Sequence, residues 1–250
     1  MDFGIVPDMT VPGAFNQAVK SNPPFTAVLH QASPFPFATV TKSEDFLLPA
    51  IEGTTNLLNA VKEFAPEVRR VIYTSSCAAV IDFEAPIATN PPKVYTDADW
   101  NPVTTEAETE LRFRVHQSAN DLGPMFHPAA SVKEINEKMP PGGVHPYADV
   151  RDLAIAHVRA VTTLEAGGER IIVSSKSISS QEIADLLRGN FEELGERTPI
   201  GTPGEISLPD GAYSVSNEKA KRLLGLTFRS DEECFVPLGK QFLEIEKADK

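Results

Sequence analysis

Residues 47–76 read LLPAIEGTTNLLNAVKEFAPEVRRVIYTSS, and the two halves of this stretch obey different periods. In the first half Leu47, Leu48, Ile51, Thr55, Leu58, Val61 and Phe64 recur at close to helical spacing, so a helix is expected to lay one apolar stripe against a neighbour. Pro49 suits the start of that helix, where its missing N–H costs nothing. In the second half residues 68–73 are dominated by Val, Ile and Tyr after the polar Arg69 and Arg70. That is the pattern of a buried parallel strand, and it runs out into Thr74, Ser75 and Ser76. A helix followed at once by such a strand is half of a strand-helix-strand unit.

Working outward, residues 25–30 supply the preceding strand and residues 3–6 an earlier one. Thr10 offers an N-cap oxygen to a helix with Pro12 in its first turn. Downstream, residues 81–146 carry many prolines, scattered charge and no clear period, so they read mainly as loop with one helix near 132–139. Order returns at Asp149, an N-cap for a helix carrying Leu153, Ala156, His157 and Ala160. The Gly167-Gly168 pair then stops that helix before a strand over 170–174. Ser179 with Glu182 and Ser230 with Glu233 have capping-box spacing, and Gly225 ends a short helix between them. No internal repeat, low-complexity tract or linker divides the chain. The class is α/β.

Composition narrows the function. With 250 residues and 41% hydrophobic content the chain can bury a sizeable core. A net charge of -12 repels phosphate backbones and anionic bilayers, so neither nucleic acid nor a membrane surface is an expected partner. Cys77 and Cys234 are the two cysteines, too few for a secreted disulfide framework or a zinc knuckle, which points to a reducing cytoplasm. No segment approaches the roughly 20 apolar residues of a membrane span, and the start of the chain has no signal-peptide pattern. His30, His116, His127, His145 and His157 show no metal-ligand spacing, and each reads as a solitary surface or packing residue, so no metal centre is expected. Neither a GxSxG elbow nor a Walker loop is present.

Four segments, in order, carry a family resemblance: Val6-Pro-Asp-Met, Val28-Leu-His-Gln-Ala-Ser-Pro-Phe35, Val71-Ile-Tyr-Thr-Ser-Ser-Cys-Ala-Ala-Val80 and Tyr147-Ala-Asp-Val-Arg-Asp-Leu-Ala-Ile-Ala-His157. Asp99-Trp-Asn-Pro102 and Lys221-Arg-Leu-Leu-Gly225 add to the set. The chain resembles the extended short-chain dehydrogenase/reductases, the NAD(P)-dependent epimerase/dehydratase family, on its dihydroflavonol-reductase and methylglyoxal-reductase side. The resemblance implies a Rossmann-type doubly wound parallel sheet and NADPH-dependent reduction of a ketone or aldehyde in a small organic molecule, such as a secondary-metabolite intermediate. It implies that Asp8 accepts from the adenine amino group, and that Gln31, Ala32, Ser33, Thr74 and Ser75 line the dinucleotide. Ser76 would then be the catalytic serine, donating to the substrate carbonyl as negative charge develops. Cys77 would border the substrate pocket, although a thiol beside an Ala-Ala-Val run also reads as inert packing.

Two parts of the family pattern have no match. None of the glycines forms the GxxGxxG or GxGxxG turn that lets backbone N–H groups approach a pyrophosphate. None of Tyr73, Tyr95, Tyr147 and Tyr213 has a lysine four positions later, as the family's YxxxK proton donor requires. The expected sheet therefore lacks its first βαβ unit, the catalytic helix is skipped between Pro102 and Leu122, and a small C-terminal α/β region forms the substrate side. The expected division is a partial dinucleotide-binding region at 1–125 and a mixed region at 126–250. A strand beginning at Asp2 and ending at Val6 is expected either to pair directly with the 25–30 strand or to sit poorly supported. Alternatives to an active reductase are a non-catalytic binding or scaffolding remnant, and an incomplete product with no activity.

Overall fold

The computed structural model describes residues 3–33, 44–102, 145–195, 197–206 and 208–248. The helix expected near 132–139, the stretch between Pro102 and Leu122 and the residues His116 and His127 lie outside them. The chain forms two compact units, one from Met1–Ser76, Pro102–Arg114 and His157–Gly168, the other from Cys77–Asn101, Val115–Ala156 and Glu169–Lys250.

In the first unit, strand β1 (Ala27–His30), helix α1 (Glu44–Phe64) and strand β2 (Arg70–Tyr73) realise the strand-helix-strand reading. The strands are parallel, with Val28 opposite Val71 and His30 opposite Tyr73. The ladder is prolonged at both ends, by Arg69 N–H to Thr26 O and Thr74 N–H to His30 O, each 2.9 Å. The buried face of the helix is not the expected stripe. Leu57, Ala60 and Val61 are buried with Val19 and Ala65, and Val28, Val71, Phe15, Phe64 and Val68 pack against them, whereas Leu48, Ile51 and Leu58 stay 50%, 56% and 46% exposed and Thr55 is exposed. The face that meets the sheet runs through Gly53, Leu57, Ala60, Val61 and Phe64, an equally regular helical period. Pro49 falls inside the helix, on its sixth residue, in the second turn and not at the start where the sequence places it. The alternation of β1 sends Leu29 to the other side, where it stays 44% exposed.

Two expected elements of this unit do not form. Residues 3–6 are not a strand, and Phe3 and Ile5 are 91% and 81% exposed. A lone extended segment has no ladder to stabilise it, and among the described residues β1 pairs only with β2. Residues 10–19 form successive turns rather than a helix. Gly13 adopts φ +80, a left-handed residue that interrupts helical propagation. The bonds from Ala14 to Val11 and from Asn16 to Gly13, each 3.0 Å, accordingly reach back only three residues.

Among the described residues the second unit holds two small sheets. Strands β3 (Val94–Tyr95) and β6 (Ser214–Val215) pair in parallel, and β4 (His145–Tyr147) pairs antiparallel with β5 (Lys176–Ile178). Residues 170–174 do not form the expected strand. The Ile172 N–H is taken at 2.6 Å by the Asp97 carboxylate, and ladder pairing starts only at Lys176. Helix α2 (Val150–Thr162) starts where Asp149 caps it, its Oδ1 accepting from Arg151 N–H at 2.7 Å, and the unit boundary falls between Ala156 and His157. Helices α3 (Ser180–Asn190), α4 (Glu192–Gly195), α5 (Glu218–Leu224) and α6 (Asp231–Ala248) follow. Both capping boxes form, and Gly225 closes α5 at φ 59. Ile178, Ile183, Leu187 and Phe235 form the apolar centre between α3, α6 and β5.

Candidate active site at the strand ends

Ligands of open parallel sheets bind beyond the carboxyl ends of the strands, and in the first unit β1 and β2 end side by side. Gln31, Ala32 and Ser33 follow β1, and Thr74, Ser75 and Ser76 follow β2. All except Thr74 are exposed, so small and hydroxyl-bearing side chains form an open ledge. Thr74 is the anchor of the β2 end. Its N–H closes the last rung to His30, and its Oγ1 lies 2.7 Å from Nε2 of His157. His157 is buried on the face of α2 that the sequence assigns to packing. Its role at the ledge escapes the sequence because 83 residues separate it from Thr74.

His30, the last residue of β1, is 95% buried, since only 5% of it is exposed. Its ring sits 5.5 Å from that of Tyr73 and 6.5 Å from that of Phe15, and its Nε2 has no hydrogen-bond partner. Burial holds its pKa below the ordinary 6.5, so the ring is neutral at neutral pH. Asp8 is exposed, and its Oδ1 accepts from the N–H and the hydroxyl of Thr10 at 2.8 and 2.7 Å. These bonds to the charged form hold the carboxyl below its usual value, which keeps it ionised. The structure thus brings the Gln31 to Ser33 and Thr74 to Ser76 segments together, and shows Asp8 making local turn contacts with Thr10.

Two other side chains have roles at odds with catalysis. Cys77 packs against the cluster of Val80, Ile81, Tyr95 and Ile172, and burial pushes its thiol up, the condition of an inert cysteine. Tyr147 does have a lysine beside it, since Lys176 is its cross-strand partner. Its hydroxyl, however, donates to the Asp231 carboxylate, which also pairs with Lys176 at 2.6 Å. Burial and that carboxylate raise the phenol above its ordinary pKa, opposite to what a proton donor of the YxxxK kind needs. Among the described residues no group of three or more His, Cys, Asp and Glu is arranged to hold a metal.

A parallel strand-helix-strand core ending in small and hydroxyl residues defines an α/β protein of the Rossmann type. Residues 5–100 match the profile of the NAD dependent epimerase/dehydratase family. The chain is 30% identical to the NADPH-dependent methylglyoxal reductase of Saccharomyces cerevisiae, over 97% of this chain and 84% of that protein. It is likewise 30% identical to a ketoreductase of Aspergillus niger, over 92% of this chain and 79% of that one. The crystal structure of the yeast methylglyoxal/isovaleraldehyde reductase complexed with NADPH superposes with a TM-score of 0.78 at 28% identity, covering 98% of this chain and 84% of that chain. The chain therefore belongs to the NAD-dependent epimerase/dehydratase family, the extended short-chain dehydrogenase/reductases. The match to the yeast reductase runs over 292 positions, more than the 250 residues present here. The relative thus carries residues inside the matched region that have no counterpart in this chain.

The described residues fit a dinucleotide only in part. An ionised carboxylate with a free oxygen suits an exocyclic amino group, and the exposed ledge of Gln31, Ala32 and Ser33 admits a flat ligand. Among the described residues no pyrophosphate cradle is built, and none of the 15 glycines of the sequence belongs to a glycine-rich phosphate turn.

Proposed function

We propose that this protein is an NADPH-dependent reductase of ketones or aldehydes in small organic molecules, with secondary-metabolite intermediates as the substrate class. The observation that carries the proposal is the position of Ser76, at the exposed end of a parallel strand in a chain whose relatives are NADPH-dependent carbonyl reductases. When bound, NADPH supplies the hydride. What this chain's residues do is hold and polarise. The Ser76 hydroxyl donates to the carbonyl oxygen as it gains negative charge, and Thr74, pinned by His157, fixes the strand end that carries it. Gln31, Ala32, Ser33, Thr74 and Ser75 line the dinucleotide, and Asp8 receives the adenine amino group. Residues 1–125 form the dinucleotide side and residues 126–250 complete the fold and the substrate side. Acidic net charge and scarce cysteine support a cytoplasmic protein without nucleic-acid partners. Among the described residues no helix is long and apolar enough to cross a membrane.

The test uses two proteins, the chain itself and a graft in which the yeast reductase's residues replace those between Pro102 and Leu122 and a glycine-rich strand-turn-helix unit of the family is joined ahead of the first residue. NADPH consumption is followed with methylglyoxal and a panel of small ketones and aldehydes. The graft is expected to turn over, and Ser76→Ala within it to lose about 10²–10³ in kcat, the usual worth of one oxyanion donor. The unmodified chain, without a Tyr/Lys proton donor, is expected to run about 10²–10⁴ below the graft. A soluble graft that binds NADPH yet reduces nothing, or a Ser76→Ala graft with an unchanged rate, overturns the reading.

A further inference from the structure

Helix α1 does more than cover the sheet, because one of its polar turns grips the segment that bears Asp8. The Nδ2 of Asn56 donates to two successive backbone carbonyls, Met9 O and Thr10 O, each at 3.0 Å. A single amide spanning two adjacent carbonyls fixes the backbone of Met9 and Thr10, the residues that follow Asp8. One turn earlier on the same face, Gly53 admits the Met9 side chain against the helix. A Cβ at this position would lie 2.4 Å from Met9 Cε, 3.1 Å from Cγ and 3.2 Å from Sδ, so any larger residue must push the thioether out. Asp8 stands immediately before the gripped peptide. Its Oδ1 is committed to Thr10, and among the described residues its Oδ2 accepts no hydrogen bond. An exposed, ionised carboxylate is thus held in one orientation, with one oxygen directed and the other open.

We propose that Asn56 and Gly53 are positioning residues for an adenine-recognising carboxylate, holding Asp8 so that it accepts a hydrogen bond from the exocyclic amino group of an adenine nucleotide. The inference rests on the adenine role given above to Asp8. Asn56 and Gly53 touch no ligand themselves; they act through Met9 and Thr10. A hydrogen bond to a charged acceptor has the strength to give base discrimination of about tenfold.

The experiment uses the full chain and two probes, AMP and inosine monophosphate, which differ in having an amino or a keto group at the same ring position. Binding is read by NMR titration, and Met9 by its methyl signal in protein labelled at the methionine methyls. The expected result is a preference of about tenfold for AMP, lost in Asp8→Ala while the Met9 methyl stays put. In Asn56→Asp, equal in shape but unable to donate to a carbonyl, the preference is lost and the Met9 methyl moves towards its random-coil position. Gly53→Ala shifts the same methyl, and Met9→Ala in that background restores the AMP preference. This double variant keeps the inference open to test if Asn56→Asp fails to fold. A parent chain with no AMP preference, or an Asp8→Ala chain that keeps it, overturns the adenine role. Loss of the preference in Asp8→Ala with retention in folded Asn56→Asp overturns the positioning role alone.

Discussion

His30 and His157 meet the same ledge from opposite conditions, one imidazole without a partner at Nε2 and the other bonded to Thr74. The consequence for His30 is a definite pH dependence. Burial disfavours its charged form, so its folded pKa lies below the unfolded value of 6.5. The unfolded chain then binds the extra proton first, and stability is lost as pH falls from 6.5 through the folded pKa. Denaturant midpoints measured between about pH 7 and pH 5, where histidine titrates, should fall more steeply for the parent chain than for His30→Phe. Equal slopes would mean that His30 is not buried as described. At this scale the sequence is informative where the signal is local. The strand-end hydroxyls are legible because they terminate an apolar run, whereas Thr10, read as the N-cap of a helix, instead donates to Asp8. The link from Thr74 to His157 is invisible without tertiary structure, and so is the hold of Asn56 on Met9.

Among the secondary elements, helix starts were more legible than strands, for a physical reason. A capping box closes within four residues, and at Ser179 it is complete: Glu182 Oε2 accepts from the Ser179 N–H at 2.8 Å, and Glu182 N–H donates back to Ser179 Oγ at 3.2 Å. Since Ser179 is fully buried, water cannot replace these bonds. Ser179→Ala should therefore cost about 1–2 kcal/mol, the upper part of the range for N-caps, read from urea or guanidinium unfolding of the whole chain. A change below about 0.5 kcal/mol, the size of an ordinary surface substitution, would show that the box does not hold α3. Strands depend on partners remote in sequence. Residues 170–174 have the apolar, β-branched composition of a strand, yet Asp97 captures the Ile172 N–H, and residues 3–6 find no edge to join. The helix read from Thr10 failed at one backbone angle, the positive φ of Gly13.

For the whole molecule the fold family and the chemistry of its relatives can be recognised from ordered short motifs, whereas the capacity of this chain to use a cofactor depends on parts that those motifs do not supply. In the proposed reading the ledge, the Asp8 carboxylate and Ser76 recognise an adenosine and a carbonyl. None of the three neutralises a pyrophosphate, which in Rossmann proteins rests on the backbone N–H groups of a glycine-rich turn at a helix N-terminus. Without that cradle the two anionic phosphates face a protein of net charge -12, and the field opposes their approach. A ligand raises stability only in proportion to the logarithm of its concentration over its Kd, about 2.7 kcal/mol at a hundredfold excess over Kd. Micromolar NADPH should consequently leave the melting temperature of this chain unchanged, while AMP at millimolar concentration still registers by NMR through Asp8. A clear thermal shift with micromolar NADPH would require a phosphate-binding surface other than a glycine-rich turn.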